Sequence, residues 1–576
     1  MHSGTFRTRQ IAVFCLFFLS LAFLVLRLLY LQVIRHNFYY KIANEQQTVS
    51  VEVPPTRGTI FDRCMRVLAV NLTSNSVFVN AREIKDREGT AETLAHILKL
   101  NESYIFQKLS KNKAFVWIKR KITPQEEDDI KKLKLDGVAI IKESKRFYPD
   151  RQLACHAIGT VNIDNVGLEG LELQYNKYLS GESGWLISTQ DAKRKLLESY
   201  QYEFIPPKNG FSLVLTIDEV IQNIAERELA KMYEKYNAKG ASIIVMDPKT
   251  GDILALANFP NFDLNEPGKR ASTSIRNRAL NDFFEPGSVF KIVAASGLLE
   301  EKLVTFNTLF NCENGQWKIG RRTLHDHTPH GVLTFKQVIE NSSNIGTVKA
   351  ASLLGPERMF KYIEAFGFRE KSGIDLPGEV VGINRPVSKW SGVSMYAIPM
   401  GQEVTTTAMQ LAGAISVIAD NGYLVRPRIV KEVLDEKGQA VKGFPPVVRR
   451  KVISTQTVLK MRSILMGVVN TGTGKKARME DYNAGGKTGT AQKVEPGGVY
   501  SHDRFVASFI GFAPVENPVL AVAVCVDEPR PVYYGGDVAA PVFKNVVDNS
   551  LKYLTAKGVY VSEGNSKGDR IQAIRP

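Results

Sequence analysis

The run from Ile11 to Ile34 constrains this chain more than any other stretch. Ile11 to Leu26 is apolar apart from Ser20, and after Arg27 the run continues to Ile34. That length suits one membrane-spanning helix, with Arg27 near an end from which it snorkels to the interface. A cleavable signal peptide is the rival reading, but no small-x-small site follows the run. The expectation is an uncleaved anchor over residues 11–34 behind a cytoplasmic tail of residues 1–10. Arg27, Arg35 and Lys41 offset Arg7 and Arg9, so charge alone leaves the orientation open. Ten residues have no room for a domain, so the chemistry is expected on the other side.

The remainder of the 576 residues is long enough for several domains. Lysine and arginine number 75 against 59 acids, a net +16 that would suit an acidic partner. No basic run interleaved with aromatics and no nucleic-acid motif is read, so a generally basic surface is expected and nucleic acid is not. The five cysteines are irregularly spaced and include no C-x-x-C, which fits neither a disulfide framework nor a zinc site.

Chemistry concentrates at Glu285-Pro286-Gly287-Ser288-Val289-Phe290-Lys291. Pro286 and Gly287 are turn residues, and Ile292-Val293-Ala294-Ala295 continues with helical composition, which predicts a helix starting here. Ser288 and Lys291 then share one face at i and i+3. A serine hydroxyl needs a base to become a nucleophile, and a lysine serves once burial or a second cation lowers its pKa. Backbone N–H groups at a helix start also favour a developing oxyanion.

S-x-x-K alone is common, and Ser110-Lys111-Asn112-Lys113 matches inside a solvated, lysine-rich segment. Ser288 differs in its company: Ser342-Ser343-Asn344 and Lys487-Thr488-Gly489-Thr490 follow in that order. The ordered triple is the constellation of serine β-lactamases and penicillin-binding proteins. Lys249-Thr250-Gly251 also matches the third motif but reads as a turn between two strands. His325-Asp326-His327-Thr328-Pro329-His330 clusters ligand types, yet its spacing fits no helix face, so a polar loop near the cleft is expected rather than a metal site.

Organisation follows from pattern. Thr48–Val53 alternates as a strand, residues 89–136 read as helical and solvated, and Arg146–Pro149 and Gly167–Glu172 read as loops. Asp218 caps a helix with Ile221, Ile224, Ala225 and Leu229 on one face. Ser242–Met246, Ile253–Ala257, Gly485–Thr490, Arg504–Phe512 and Leu520–Val526 are strand candidates, with helices at Phe335–Glu340 and Thr407–Ala419. The fold class is α/β: an anchor, a mixed α+β non-catalytic pedestal over 35–238, and a sheet flanked by helices over 239–555. A disordered tail is expected over 556–576.

Taken together, these segments resemble a class B penicillin-binding protein, closest to the division-specific (septal) type. The resemblance rests on Arg57-Gly58-Thr59-Ile60-Phe61-Asp62-Arg63, Gly167–Glu172, the three motifs, Gly401–Thr405 and Tyr533–Phe543. Cys64-Met65 departs from the family's usual Asn-Gly. The resemblance implies an antiparallel sheet flanked by helices and D,D-transpeptidation between peptidoglycan stem peptides. Ser288 would attack the donor pentapeptide with Lys291 as base, Ser342 as proton shuttle and Asn344 orienting Lys291 and the peptide. Lys487, Thr488, Gly489 and Thr490 would bind substrate, Lys487, Thr488 and Thr490 holding the terminal carboxylate. The N–H groups of Ser288 and Thr490 would form the oxyanion hole.

The resemblance implies no metal or organic cofactor. Partners would be donor and acceptor stem peptides, β-lactams as covalent inhibitors, a membrane-embedded glycosyltransferase and other division proteins. The place would be the bacterial cell (inner) membrane, with the catalytic part extracytoplasmic, at the septum. The alternatives are a membrane-anchored β-lactamase or β-lactam sensor, an elongation-type transpeptidase, and a non-enzymatic scaffold of the division machinery.

Overall fold

A computed structural model of the chain describes residues 3–113, 115–189, 203–320, 322–495 and 497–558. The chain separates into two compact units, one formed by residues 1–56 with 181–209 and the other by 57–180 with 210–576.

In the first unit the N-terminal helix Ser3–Leu29 passes into a wider π turn at Tyr30–Ile34. The stretch Phe6–Ile34 is long and apolar enough to cross a membrane, and none of it is buried in protein. Thr48–Val53 is the expected strand, pairing antiparallel with Gly184–Thr189, which pairs with Glu203–Ile205.

The second unit begins with a sheet region whose pairing the sequence did not display. Residues 89–136, expected to be helical, contain helices at Arg87–Leu98, Glu102–Leu109 and Pro124–Leu133, but Val116–Ile122 is a strand. Its half-buried lysines and arginine mask the alternation that would have revealed it. Arg146 and Phe147, expected in a loop, end the strand Val138–Phe147, and Gly170–Gln174 is a short helix rather than loop.

The last two corrections share a cause. Arg57 and Arg146 both converge on Glu172, each at 2.7 Å, and Tyr148 OH donates to the same carboxylate at 3.3 Å. Glu172 is fully buried, so its charge requires both guanidinium partners. Three segments that look unrelated along the chain close one ion cluster.

The larger part of this unit is built on a five-stranded antiparallel sheet, preceded by α1 (Glu219–Lys235). Asp218 caps α1, accepting from Val220 N at 3.1 Å. The strands are β1 (Gly240–Met246), β2 (Ile253–Phe259), β3 (Gly485–Val494), β4 (Tyr500–Ala513) and β5 (Leu520–Asp527), in the spatial order β2-β1-β5-β4-β3. All five expected strands are present, each longer than its apolar core. The β1–β2 connection is the expected turn, with Asp247 accepting from Lys249 N at 2.9 Å and Gly251 at φ +77°.

Ala521 and Ala523 pack in a core with α2 (Lys291–Glu300), α3 (Asn344–Ala365, broken at Gly355), α4 (Ala408–Ala419) and α5 (Thr455–Asn470). Val522 and Val524 face a second core with α1 and α6 (Gly535–Ala556). Alternation along one strand thus feeds two layers, giving the helix–sheet–helix sandwich expected from the pattern. The helix α6 carries the chain past Tyr553 to Ala556, and the tail expected beyond it lies outside the described residues from 559 onward.

Candidate active site

Ser288 stands where a single 3-10 turn, Gly287–Phe290, runs into α2. An α-helix was expected here. A 3-10 turn eclipses the side chains of residues i and i+3, which keeps Ser288 and Lys291 on one face. Gly287 has φ +58°, and a Cβ there would lie 3.0 Å from the Thr490 carbonyl oxygen. At Gly489 a Cβ would lie 2.9 Å from the Pro286 carbonyl oxygen. Two glycines therefore let β3 press against the turn that carries the serine.

Lys291 is completely buried at the first position of α2. Its Nζ donates to Ser342 O at 2.6 Å, Asn344 Oδ1 at 2.8 Å and Ser342 Oγ at 3.2 Å. Among the described residues the Ser288 hydroxyl is not one of its partners. Burial pushes its pKa down to about 7, against a smaller opposing pull from Asp326. The expected second cause, repulsion from Lys487, falls instead on Lys487. That side chain is also fully buried, and burial followed by the neighbouring Lys291 holds its pKa well below the usual lysine range. Lys487 Nζ donates to Ser342 Oγ at 2.9 Å.

Ser342 is the hinge between two helices. Thr334 and Gln337 form a capping box that starts Phe335–Glu340, and Ser343 caps α3 by accepting from Gly346 N at 2.9 Å. Between them Ser342 holds φ +57°, a left-handed conformation unusual for a side chain bearing Cβ. Strain of this kind is kept where surrounding contacts over-determine it. Here both the carbonyl and the hydroxyl of Ser342 are engaged by Lys291.

Asp326 has a part the sequence did not assign. Its carboxylate accepts from Ser343 Oγ at 2.6 Å, Asn344 N at 2.5 Å and Ile345 N at 2.9 Å, so it sits on the N-terminus of α3. The preceding carbonyl, His325 O, accepts from Asn344 Nδ2 at 2.9 Å and turns the amide oxygen toward Lys291. The His-Asp-His segment thus reads as a clamp on the Ser342–Asn344 motif. Arg322–His325 is itself a strand, and the polar loop starts only after it.

Gly401 O accepts from Gly287 N at 3.1 Å, and Glu285 Oε1 accepts from Glu403 N at 2.9 Å. A Cβ at Gly401 would lie 2.1 Å from the Gly287 carbonyl oxygen, so only glycine lets this segment back the serine turn. Thr488 Oγ1 and Thr473 Oγ1 stand 2.8 Å apart, and Thr490 Oγ1 accepts from Gly535 N at 3.0 Å at the start of α6. Thr473 carries no motif and only the fold identifies it, whereas Glu285 and Gly401–Thr405 are segments of the family resemblance to which the fold now gives a supporting part.

Two cavities meet at Ser288. One, about 380 Å³, is lined by Glu285, Thr323, Leu324 and Gln402, and the other, about 640 Å³, by Ser342, Thr473, Thr488, Phe505 and Tyr533. Ser288, Asn344, Thr490 and Gln492 line both. All the sequence-expected residues except buried Lys291, Lys487 and Gly489 line a cavity directly, and those three stand immediately behind its walls.

A serine at the mouth of two cavities, backed by two buried lysines on an antiparallel sheet between helix layers, defines a class in which known proteins are abundant. Residues 241–548 match the penicillin-binding protein transpeptidase domain, and residues 52–215 match the penicillin-binding protein dimerisation domain. The chain belongs to the class B penicillin-binding proteins, which join these two domains. Within the class it is 36% identical to stage V sporulation protein D of Bacillus subtilis, over 97% of this chain and 88% of that one. It is 30% identical to the peptidoglycan D,D-transpeptidase FtsI of Escherichia coli, over 95% and 92%. The crystal structure of penicillin-binding protein 3 from Mycobacterium tuberculosis with aztreonam superposes with a TM-score of 0.69 at 28% identity, covering 89% of this chain and 99% of that one.

Proposed function

We propose that this protein is a peptidoglycan D,D-transpeptidase that cross-links stem peptides through a serine acyl-enzyme. The observation that carries the reading is the convergence of Lys291 and Lys487 on Ser342, beside Ser288, in a chain of this family. Ser288 Oγ attacks the carbonyl carbon of the penultimate D-alanine of a donor peptide, and its proton passes to the free amine of Lys291. A pKa of about 7 supports that part, because much of Lys291 is then unprotonated near neutral pH.

The oxyanion lies toward the N–H groups of Ser288 and Thr490. Collapse breaks the amide bond, and Ser342 passes a proton to the departing D-alanine amine. Lys487, Thr488, Gly489 and Thr490 hold the donor's terminal carboxylate. Asn344 orients Lys291 and meets the peptide amide. An acceptor amine from a second strand then attacks the ester, reversing the proton path and releasing Ser288.

Two cavities sharing Ser288 support a transfer between two substrates over hydrolysis to water. We assign residues 35–238 to the pedestal and 239–555 to the transpeptidase part. A single anchor at the N-terminus fits the helix Phe6–Ile34. Placement at the septum, with a membrane-embedded glycosyltransferase and other division proteins as partners, belongs to the same proposal and rests on the sequence's resemblance to the division-specific type.

Intact-mass measurement tests the nucleophile. Benzylpenicillin should add its mass to the peptide containing Ser288 and to nothing in Ser288→Ala, and the adduct should persist for minutes or longer. Labelling of Ser288→Ala would sink the assignment, and an adduct lost within seconds would mark a β-lactamase.

A further inference from the structure

A third cavity, about 460 Å³, lies at the ends of the sheet strands and contains none of the residues assigned to the reaction. Ala241 of β1, Val506 of β4, Cys525 and Val526 of β5, and Phe284 give it an apolar lining. Its rim is ionic. Asp282 meets Arg276 and Arg278, the latter at 3.1 Å, and Asp527 meets Lys493 at 2.8 Å and Arg278 at 3.7 Å. The adjoining Glu528 meets Lys493 at 2.8 Å and Lys239 at 3.0 Å.

The pairing is lopsided. Four cations share three carboxylates, and each carboxylate is already held by two cations. The three acids are 10–21% exposed and Arg278 12%, whereas Arg276 and Lys239 are both 56% exposed and so are the cations open to a ligand. Arginine carries five N–H donors, and among the described residues the partner recorded for the Arg276 side chain is Asp282 alone. Spare donors over an apolar lining select an anion joined to an apolar group, and a planar carboxylate matches the guanidinium fork.

The cavity is also adjacent to working parts. Lys493 lies on β3, the strand that carries Lys487–Thr490, and Phe284 precedes Glu285 and exchanges backbone hydrogen bonds of 2.9 and 3.0 Å with Thr406. We propose that this cavity is a second site for the carboxylate end of a peptide, distinct from the one at Lys487–Thr490. Choosing a peptide among carboxylates rests on the D,D-transpeptidase reading.

The test uses full-length protein first acylated with benzylpenicillin, so that the Ser288 site is blocked. Calorimetric titration with diacetyl-L-lysyl-D-alanyl-D-alanine should show saturable binding. Its C-terminal amide should bind at least tenfold more weakly. Arg276→Glu and Lys239→Glu should each weaken the acid at least tenfold while acylating at the wild-type rate. No binding to the acylated protein, or binding indifferent to the amide or to both substitutions, would overturn the proposal. Failure of penicillin to label Ser288 would instead break the transpeptidase reading, and the same titration of unlabelled protein would then decide the cavity through the two variants.

Discussion

Lys291 and Lys487 donate to a single atom, standing 3.2 and 2.9 Å from the Oγ of Ser342. A hydroxyl oxygen has two acceptor positions, and both are filled, which leaves its own proton for a third partner. Two ammonium groups at this separation in a buried site also disfavour each other, so the pair titrates as a unit.

The pH dependence follows from Lys291. In the proposed mechanism acylation uses its free amine, so the rate of benzylpenicillin acylation should climb roughly tenfold per pH unit below about 7 and level off above it. Stopped-flow acylation between pH 5.5 and 9 measures this, and a flat profile would remove Lys291 as the base. Stability should move in the same direction. The folded pKa lies below the ordinary 10.5, so the unfolded chain binds more protons between about 7 and 10.5, and this contribution is lost as pH falls through that window. Lys291→Met should therefore shift Tm more favourably at pH 7 than at pH 10.5.

The two lysines should fail differently. Lys291→Ala should lower acylation by about 10²–10⁴ for any β-lactam, since it removes the proposed base. Lys487→Ala should penalise benzylpenicillin more than a β-lactam lacking its carboxylate. Equal losses for the two ligands would refute carboxylate binding by Lys487.

Asp326 offers a test of the clamp on α3. Asp326→Ala deprives Asn344 N, Ile345 N and Ser343 Oγ of an acceptor and should cost about 1–3 kcal/mol in urea unfolding. It should also slow acylation at least tenfold, because Asn344 loses its placement against Lys291. Loss of stability with an unchanged acylation rate would confine Asp326 to a structural part.

Glu172 should behave as the centre of its cluster. Glu172→Gln leaves Arg57 and Arg146 buried without a counter-charge and should destabilise by about 3–5 kcal/mol. Chemical denaturation of this variant decides it, and a cost below about 1 kcal/mol would mean that water already reaches the two guanidinium groups.

Sequence legibility followed the range of the interactions. Ser288, Lys291, Ser342, Asn344 and Lys487–Thr490 are announced by short spacings, and the five strands of the main sheet by continuous apolar runs. What escaped was set by contacts across long separations. Val116–Ile122 pairs through backbone while Lys119, Arg120 and Lys121 at its centre are charged, so its period is hidden. Asp326 stood in view among the histidines, but its partners begin 17 residues on. The left-handed backbone at Ser342 has no signature in a serine, and the 3-10 turn at Ser288 differs from an α-helix by less than composition resolves.

The close contacts at Gly287, Gly401 and Gly489 bear on how this protein would adapt to drug pressure. A side chain at any of the three meets backbone at 2.1–3.0 Å, so the serine turn has almost no heritable variation available from within. Substitutions that discriminate a β-lactam from a stem peptide would have to arise on the cavity walls, at positions such as Thr323, Gln402 or Tyr533, where a side chain borders open space. Lineages selected on penicillin should therefore accumulate changes at the rim while the three glycines stay fixed, and resistance should be bought in several small steps rather than one.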